Sequence, residues 1–304
     1  MADVHVIDLV EEVLGPGLEQ FGVPQLWRHA TGKGVKVAIF DSGIDGQHED
    51  LAGAVLDHVN FTDSPDADVY GHGTHCAGIV GARVNGKGIH GVAPECDLYD
   101  VKVVNDRGDS MYEWLIKGFQ WAIAQKIDVI SCSIAGARFD ERLHGVVQAA
   151  HGRGTIIVAA AGNFGFQVGE DTTGYPARFP ETIGVGALGE GHEARAQFSS
   201  TGEGVNIMAP GSNILSCLPG NRYGVTRGTS TACPFVAGVV ALIVHKLRKD
   251  WTEVTPRLVH ELILENALDV GRPGRDKFTG AGIIKPEALF GSILRRSRRF
   301  FKPT

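Results

Sequence analysis

The sequence has no apolar run of the length, about 18 residues, that a membrane-spanning helix requires. Its N-terminal stretch, MADVHVIDLVEEVLG, places acidic residues among the apolar ones, so it lacks the apolar core of a secretory signal peptide. These absences predict a cytoplasmic protein without an integral membrane segment, and a secreted protein is the alternative if the chain is the mature part of a longer one. The formal net charge of -6 offers nucleic acid no overall attraction, so no nucleic-acid partner is expected.

Cysteine is also scarce, and its spacing does not indicate a metal site. The five cysteines include no CxxC pair, so a zinc centre is not expected, and an odd number cannot all pair within one chain. Reduced and mostly buried thiols are therefore expected at Cys76, Cys96, Cys132, Cys217 and Cys233.

Glycine, by contrast, is abundant. The 41 glycines among 304 residues are nearly twice the usual share of about 7%. Together with 43% hydrophobic residues, they indicate a packed protein with many tight turns rather than a disordered one. The length and the lack of a repeat or a Pro/Ser-rich linker predict one large domain.

Short apolar segments alternate with helical patterns along the first half of the chain. VKVAIF, residues 35–40, is almost continuously apolar and is followed by Asp41, which is typical of a strand buried on both faces of a parallel sheet. Residues 98–104, 128–134 and 155–161 have the same character, and apolar residues recur at helical spacing between them. This alternation predicts an α/β fold with a mostly parallel central sheet flanked by helices.

The second half of the chain has a different pattern. From about residue 174 to residue 219 it consists of short β-like pieces broken by glycine and proline, which we interpret as loops and ribbons decorating the sheet. A long apolar helix is predicted from about Ser230 to Lys246, with basic residues near its end that suit the negative pole of its dipole.

Three polar residues stand where predicted strands end or predicted helices begin. Asp41 follows the first strand in FDSGIDG, His72 opens a helix in YGHGTHCAG, and Ser230 opens the last apolar helix in RGTSTACP. Each alone is an ordinary residue at such a place. Together they are the carboxylate, imidazole and hydroxyl that nucleophilic acyl transfer requires, and active sites of α/β sheets collect at the carboxyl ends of strands.

At these motifs the sequence resembles the subtilisin-like serine proteases, in order and along nearly the whole chain. The matching stretches are VAIFDSGID, GHGTHCAG, ISCSIAG, AAAGN, GYPARFP, MAPG, GTSTACPFVAG and FTGAGIIKPEAL, and the order Asp, His, Ser is that of this family. The resemblance implies a subtilisin-like three-layer fold and a serine endopeptidase that works through an acyl-enzyme. It implies that Ser230 is the nucleophile, that His72 is the general base and then the general acid, and that Asp41 orients the imidazole.

The same resemblance implies how a polypeptide substrate is held. Asn163, at the end of AAAGN, is expected to donate an amide N–H to the tetrahedral intermediate. Two short segments are expected to wall the primary specificity pocket, and a third to bind the residues upstream of the cut through main-chain bonds. Small walls and Phe164 near the rim suggest broad specificity, with a preference for a large apolar residue before the cut. The segments comprise Gly108, Asp109, Ser110, Ser133, Ile134, Ala135, Gly136, Ala160, Ala161 and Gly162.

A structural calcium ion is the expected cofactor. Asp50 and the loop RVNGKGI, residues 83–89, have the length and spacing of the tight calcium loop of the family. The resemblance implies oxygen ligands, which a hard cation prefers. They are the side chains of Asp50 and Asn85 and the backbone carbonyls of Arg83, Lys87 and Ile89.

The two ends of the chain complete the comparison with the family. LGPGLEQFGVPQLW, residues 14–27, resembles the N-terminal segment of the intracellular subtilisins. We therefore divide the chain into an N-terminal extension (1–20), a subtilisin-like peptidase domain (21–292) and a basic C-terminal tail (293–304). The oligomeric state is open, and two alternative functions are considered: a catalytically silent peptide-binding module, and an esterase-like hydrolase that uses the same chemistry.

Overall fold

The computed structural model describes residues 4–7, 9, 11–15, 17–165, 171–250 and 253–300, with the side chains of residues 296–300 excepted. Parts of the predicted N-terminal extension and basic tail lie outside these residues. The strands are β1 (His5–Ile7), β2 (Lys36–Asp41), β3 (Val55–Asn60), β4 (Asp97–Lys102), β5 (Val129–Cys132), β6 (Ile156–Ala160), β7 (Thr182–Leu188), β8 (Ile207–Pro210), β9 (Ile214–Leu218) and β10 (Arg222–Thr226). The helices are α1 (Val23–Leu26), α2 (His72–Gly81), α3 (Tyr112–Gln125), α4 (Glu141–Gly152), α5 (Thr229–Lys249), α6 (Pro256–Glu265) and α7 (Pro286–Phe300), with a short 3-10 helix at Glu190–His192.

Seven of the strands form a parallel central sheet in the order β3-β4-β2-β5-β6-β7-β8. Alternate residues of β2 point to opposite faces, so that Val37 and Ile39 enter one hydrophobic core while Ala38 and Phe40 enter the other. Helices α2 and α5 cover the first face, and α3 and α4 cover the second. The predicted three-layer α/β fold is therefore confirmed.

The interpretation of residues 174–219 as ribbons decorating the sheet is wrong in part. β7 and β8 are not ribbons but strands of the parallel sheet, and every residue of both is buried. The glycines of β7 and the proline of β8 are typical of loops, although the other residues of both strands are mostly apolar, as in a buried strand. Of the strands between residues 174 and 219, only β9 lies outside the parallel sheet. It belongs to a separate antiparallel sheet of three strands, in the order β1-β10-β9.

The long apolar helix α5 lies at the centre of the molecule. Among the described residues it is the one helix that is long and apolar enough to cross a bilayer, but 89% of its most apolar stretch is buried inside the protein. It packs against β5, β6, β7 and β8, as a core helix does. The domain boundaries at residues 20 and 292 stay a prediction, since Leu18 and Ile293 are buried in the same core as α5.

The antiparallel sheet positions the segment that leads into α5. β10 is followed directly by the residues that begin this helix, and β9 packs on α2. The buried Nε2 atom of His75, on α2, lies 3.1 Å from the carbonyl oxygen of Ile214 and 3.2 Å from that of Gly224. The starts of α2 and α5 are thereby tied to one another through the β9–β10 hairpin.

Candidate active site

One cavity of about 390 Å³ brings the predicted chemical groups together. Asp41 is the last residue of β2, His72 is the first residue of α2, and Ser230 lies in the first turn of α5. All three line this cavity with Asn163, although they are far apart in the sequence. The place matches the rule that sites form at the carboxyl edge of a parallel sheet.

The imidazole of His72 is held by the carboxylate of Asp41. Its Nδ1 atom lies 2.8 Å from Oδ1 and 2.9 Å from Oδ2 of Asp41, which is buried. Because an ionised carboxylate only accepts hydrogen bonds, Nδ1 carries a proton and its N–H donates a hydrogen bond to Asp41. In the neutral imidazole Nε2 is then the basic nitrogen. The backbone N–H of Ser42 also donates to Asp41 Oδ1, at 2.8 Å.

The electrostatic surroundings favour the protonated form of His72. Burial alone would lower its pKa, but the charge of Asp41 and its hydrogen bond raise the pKa well above the ordinary value. The neighbouring Cys76 thiol lies 3.7 Å from His72 Nδ1, and burial raises the pKa of this thiol. Asp41 is therefore the group that stabilises an imidazolium at this position.

A buried carboxylate that sequence reasoning missed fixes the turn that carries His72. Asp68 accepts hydrogen bonds from the Ser42 hydroxyl (2.8 Å), from the Gly71 N–H (2.7 Å), and from both the N–H (2.9 Å) and the hydroxyl (2.6 Å) of Thr74. Ser42 in turn accepts from the N–H of Gly73 at 2.9 Å. Asp68 thus joins the end of β2 to the start of α2. From sequence alone, Asp68 would have been read as part of a solvated acidic loop.

A buried lysine supports the same region from the neighbouring strand. Lys102, the last residue of β4, is fully buried and lies beside Asp41 in the sheet. Its ammonium group donates to the carbonyl oxygens of Ser42 (2.7 Å) and Ala67 (3.0 Å) and to the carboxylate of Asp106 (2.9 Å). A buried charge requires such complete pairing, and here the pairing holds two loops behind the cavity.

Asn163 presents its amide N–H₂ group to the cavity. Its Oδ1 atom accepts from the Thr229 backbone N–H at 2.9 Å and from the Thr229 hydroxyl at 3.1 Å. Because both of these donors meet the oxygen, the amide orientation is determined by hydrogen bonding. A Cβ atom at Gly228, where φ is +151°, would lie 2.8 Å from Ser230 Oγ and 3.3 Å from Asn163 Nδ2. Only glycine fits between the two groups.

Ser230 faces His72 across the cavity without a direct bond. Among the hydrogen bonds of the described residues, none joins the Ser230 hydroxyl to the imidazole, and such contacts often tighten only when substrate binds. The carbonyl oxygen of Ser230 accepts from the Ser133 hydroxyl at 3.0 Å. This bond places Ser133 at the end of the cavity where Ser230 lies.

Most of the predicted substrate-binding residues line the cavity. Asp109 and Ala161 do not: the side chain of Asp109 pairs with Arg107 at 3.3 Å, and Ala161 is buried in the core. The remaining eight are Gly108, Ser110, Ser133, Ile134, Ala135, Gly136, Ala160 and Gly162. The cavity is also lined by five residues that were not predicted to bind substrate: Tyr70, Val104, Tyr112, Leu115 and Thr229. Tyr70 and Thr229 stand within the motifs around His72 and Ser230. No motif marks the other three, which reach the cavity only in the folded chain.

The predicted calcium residues meet in one place, beside a buried carboxylate. Asp50 is fully buried, and its oxygens accept from the Ile89 N–H (2.8 Å) and from the Asn85 side-chain amide (3.0 Å). Within the described part of the chain, no lysine or arginine forms an ion pair with Asp50, and Lys87 pairs with Glu49 instead. A Cβ atom at Gly88, where φ is +63°, would lie 2.1 Å from Asp50 Oδ2, so the loop can approach the carboxylate closely only with glycine there.

Glu12 is a further acidic group at this loop that sequence reasoning missed. Its Oε1 atom accepts from the N–H groups of Asn85 (3.1 Å) and Gly86 (2.9 Å) and lies 2.8 Å from Nε2 of His90. The Asn85 amide turns its nitrogen toward Asp50, so a cation would require this amide to rotate and present its oxygen. The oxygen-rich donor set fits a hard cation such as Ca²⁺.

A second imidazole–carboxylate pair lies behind the site. His58 Nδ1, on β3, is 2.7 Å from Oδ2 of Asp100 on β4, and the same oxygen accepts from the Ile44 N–H at 3.0 Å. The hydrogen bond to buried Asp100 raises the pKa of His58 to about 9, while burial raises the pKa of Asp100. His58 is thus the cation that compensates Asp100 under the loop after Asp41.

This pair predicts a loss of stability at alkaline pH. The folded-state pKa of His58 lies above the unfolded value of 6.5, so its contribution is fully present below pH 6.5 and is lost as the pH rises through about 9. Since the His58 side chain is 35% exposed, solvent screening should limit the effect to about 1 kcal/mol. Melting temperatures measured from pH 6 to pH 10 should fall less steeply in H58Q than in the unsubstituted protein.

The matched control for this pair is the double variant H58Q/D100N, which removes both charges. Its stability at pH 7 should exceed that of H58Q, because H58Q leaves Asp100 buried without a cation. Parallel pH curves for H58Q and the unsubstituted protein would contradict the assignment.

A parallel α/β sheet with a serine, an imidazole and a carboxylate at its carboxyl edge defines the class of serine hydrolases that includes the subtilisins. The model of the "Subtilase family" matches residues 32–282, which is most of the chain. An "Intracellular serine protease" of Paenibacillus polymyxa is 41% identical over 281 residues, or 88% of this chain and 84% of that protein. "Subtilisin E" of Bacillus subtilis (strain 168) is 44% identical over 257 residues, 83% of this chain and 66% of that protein. The "Major intracellular serine protease" of the same organism is 40% identical over 250 residues, 79% of this chain and 77% of that protein.

The chain therefore belongs to the subtilase family, and it is a serine endopeptidase. The family resemblance drawn from the motifs is confirmed. Polypeptides are its substrates, as the activity implies.

Proposed function

We propose that the chain cleaves peptide bonds with a triad of Ser230, His72 and Asp41 and with Asn163 as an oxyanion donor. The single observation that carries this proposal is the bond between Asp41 and His72 Nδ1, in a cavity that Ser230 also lines. This bond leaves Nε2 free to take the hydroxyl proton. A catalytically silent binding module would have no need of the arrangement.

The reaction proceeds through an acyl-enzyme. Ser230 Oγ attacks the carbonyl carbon of the scissile bond while His72 Nε2 takes its proton, and the imidazolium is stabilised by Asp41. The tetrahedral oxygen accepts from Asn163 Nδ2 and from the Ser230 N–H, which lies in the first turn of α5, where backbone N–H groups have no partner within the helix. His72 then gives its proton to the leaving amine as the peptide C–N bond breaks, which leaves the acyl-enzyme. Water next attacks the acyl carbon while His72 takes a proton from it, and the bond to Ser230 Oγ breaks as His72 returns that proton to the serine, which releases the acid.

Labelling with a serine-directed fluorophosphonate tests the proposal. The expected result is one adduct per chain, located at Ser230 by peptide mass mapping and absent after heat denaturation. A binding module would give no adduct. Digestion of casein by the unlabelled protein, from a preparation that the fluorophosphonate labels, distinguishes an endopeptidase from an esterase-like hydrolase, which would hydrolyse only small esters.

The oxyanion role of Asn163 gives a sharp prediction. Asn163→Asp keeps an oxygen that can accept from Thr229 but replaces the N–H₂ group with a second oxygen, so the donor to the intermediate is lost. We expect kcat to fall by about 10²–10³ with little change in KM, which is the effect of removing the corresponding donor in a subtilisin. Steady-state kinetics on a short peptide substrate measures both constants.

The control for this prediction is Thr229→Ser, which retains the hydroxyl and the backbone donor to Asn163. It should reduce kcat much less than Asn163→Asp. A KM effect in Asn163→Asp as large as the kcat effect would mean that Asn163 binds the ground state instead.

We further propose that the residue before the cut is large and apolar. The cavity is walled by the small residues Ser133, Ala135, Gly136, Ala160 and Gly162 together with the larger Ile134, and the ring of Phe164 lies beside them. Small walls leave room for a large side chain, and an aromatic rim favours an apolar one. Values of kcat/KM on peptides that differ at this one position should rank Phe, Tyr, Leu and Met highest; a strong preference for Lys or Asp would overturn this proposal.

A structural Ca²⁺ ion is our proposal for the Asp50 loop. The support is a fully buried carboxylate that forms no ion pair with a described lysine or arginine and that lies within 3.0 Å of the Asn85 side chain and the Ile89 backbone of the predicted loop. Asp50 and Asn85 would hold the ion with the carbonyls of Arg83, Lys87 and Ile89, and the Glu12 carboxylate lies at the same loop. The ion would neutralise Asp50 and join the loop to the start of β3.

Calcium removal is therefore expected to lower thermal stability. At a free concentration of about 100 times Kd, bound ion adds about 2.7 kcal/mol, which for a domain of this size corresponds to a fall in Tm of about 4 °C on chelation. The measurement is Tm in calcium and in EGTA, made on S230A so that self-digestion does not interfere. Asn85→Ala should abolish the difference, whereas an equal Tm in both buffers would exclude a structural ion.

We propose a cytoplasmic location for the chain. The support is that two of its relatives are named as intracellular serine proteases. Fractionation of cells that express the native gene should recover the protein with a cytoplasmic marker; recovery from the medium would favour the secreted alternative.

A further inference from the structure

An exposed aromatic side chain, that of Phe139, follows the cavity-wall segment Ser133–Gly136 by three residues. Phe139 is 57% exposed, yet it is not isolated: its ring meets those of Tyr175 (5.8 Å), Phe179 (6.1 Å) and His144 (6.0 Å) edge to face. Phe179 and His144 are themselves stacked at 4.3 Å. Phe139 is thus an exposed apolar side chain that rests on an ordered aromatic base.

Two sets of hydrogen bonds connect this aromatic group to the cavity wall. Tyr112, which lines the cavity, donates from its hydroxyl to the Arg138 carbonyl at 2.5 Å and accepts from the Arg138 N–H at 3.2 Å. Gly136, also in the wall, exchanges two backbone bonds with Tyr175, of 2.8 and 2.7 Å. Phe139 follows Arg138 and packs on Tyr175, so both connections place it next to residues that are bonded to the wall.

The backbone on both sides of Phe139 is held in place. Arg138 is held by Tyr112 on one side. On the other side Asp140 caps α4, accepting from the N–H groups of Arg142 and Leu143. A side chain presented from a backbone that is already ordered loses little entropy when a ligand binds it.

The position of Phe139 along the cleft sets which part of a substrate it can meet. Ser133 marks the end near the nucleophile, since its hydroxyl is 3.0 Å from the Ser230 carbonyl. An extended chain advances about 3.3 Å per residue, so the wall from Ser133 to Gly136 accompanies three to four substrate residues. Phe139 follows the last residue of this wall by three positions and is held to it through Arg138 and Tyr112. Met111, which stands between the lining residues Ser110 and Tyr112, is 50% exposed.

We propose that Phe139 and its aromatic neighbours form a further subsite that binds an aromatic or large aliphatic side chain five or six residues upstream of the scissile bond. This inference rests on the proposed function, because it extends the same cleft. The occupant is the substrate's own upstream segment. The continuity of the surface with the cavity, through Tyr112 and Tyr175, supports this occupant over an unrelated partner.

The test uses fluorogenic peptides that share the same four residues upstream of the cut. One peptide ends there, and two longer ones add two residues, either Phe-Phe or Gly-Ser. The unsubstituted enzyme should cleave the Phe-Phe peptide with a kcat/KM about 5- to 30-fold above that of the Gly-Ser peptide, as expected for burial of one aromatic side chain on another. F139A should lose this gain while cleaving the four-residue peptide at the original rate, and F139L should retain part of it.

The matched control is F278A. Phe278 is 47% exposed, similar to Phe139, but it lies in the loop before α7, where its ring centroid is 6.0 Å from the Arg272 guanidinium. F278A should keep the full gain. The inference is overturned if the unsubstituted enzyme shows no gain, or if F139A slows the four-residue peptide as much as the long one.

A binding measurement separates this inference from the proposed function. S230A should bind a fluorescent Phe-Phe peptide about 5- to 30-fold more tightly than the Gly-Ser peptide by anisotropy, and the additional F139A substitution should remove the difference. If S230A retained full activity, the proposed nucleophile would be wrong while this preference could still be observed. If F139A instead converted a dimer to a monomer in sedimentation and left peptide binding unchanged, the surface would be a contact between two copies of the chain and the inference would fail.

Discussion

Ser230→Ala is expected to lower kcat for peptide hydrolysis by about 10⁶, because it removes the atom that would form the acyl-enzyme. Loss of the corresponding serine in subtilisin, a relative of this chain, costs about this much. The residual rate should come from Asn163 and from binding in the cleft, which the substitution leaves intact. Steady-state kinetics with a sensitive fluorogenic peptide, checked by active-site titration to exclude contaminating protease, measures the effect.

A serine outside the cavity provides the control. Ser292 lies on α7, remote in the sequence from every residue that lines the cavity, and Ser292→Ala should leave kcat unchanged. The melting temperature of S230A should stay within a few degrees of the unsubstituted protein, since the change removes one oxygen that faces a cavity. If S230A kept more than about a hundredth of the activity, another nucleophile would have to perform the reaction.

Asp41→Asn should produce the second largest effect, a fall in kcat of about 10⁴. Both oxygens of Asp41 lie within 2.9 Å of His72 Nδ1, so an amide nitrogen at this position would donate to Nδ1. The imidazole would then carry its proton on Nε2, where it cannot act as a base toward Ser230. The substitution also removes the charge that raises the pKa of His72. The measurement is kcat/KM from pH 5 to pH 10.

Two results in this pH series would identify the role of Asp41. The acidic limb of the profile should move to lower pH in D41N, because His72 loses its neighbouring anion and deprotonates more easily. Asp45→Asn is the control, since Asp45 accepts from the Gly220 N–H in a neighbouring loop and does not line the cavity. An unchanged acidic limb in D41N, with activity lost only through unfolding, would contradict the orienting role.

Local sequence patterns were sufficient for the sheet where strands are continuously apolar. β2, β4, β5 and β6 fall within one or two residues of their predicted bounds, because burial on both faces leaves little choice of residue. β7 was misinterpreted as a ribbon, since its glycines resemble loop residues. In the folded chain a Cβ atom at Gly184 would lie 1.9 Å from the Gly204 carbonyl oxygen, so that glycine permits close packing.

Asp68 and Asp109 show why acidic residues are hard to interpret from sequence. Both occur in polar stretches, and neither apolar periodicity nor a motif distinguishes them. Asp68 is buried under four hydrogen bonds between β2 and α2, whereas Asp109, predicted to bind substrate, points to Arg107. The difference depends on which segments surround each carboxylate, and that is a property of the fold.

The sequence by itself determined the family, the parallel α/β architecture and the candidate nucleophile, base and acid, because each of these depends on short motifs and on the burial pattern of single segments. Only the tertiary structure decided which atoms meet: the Asp41–His72 bond, the orientation of the Asn163 amide, the buried Asp68 and Lys102 behind them, and the aromatic surface at Phe139. These contacts join residues that are separated by tens of positions in the sequence, up to 66 for Asn163 and Thr229. Their distances follow from how strands and helices pack, which no local pattern records.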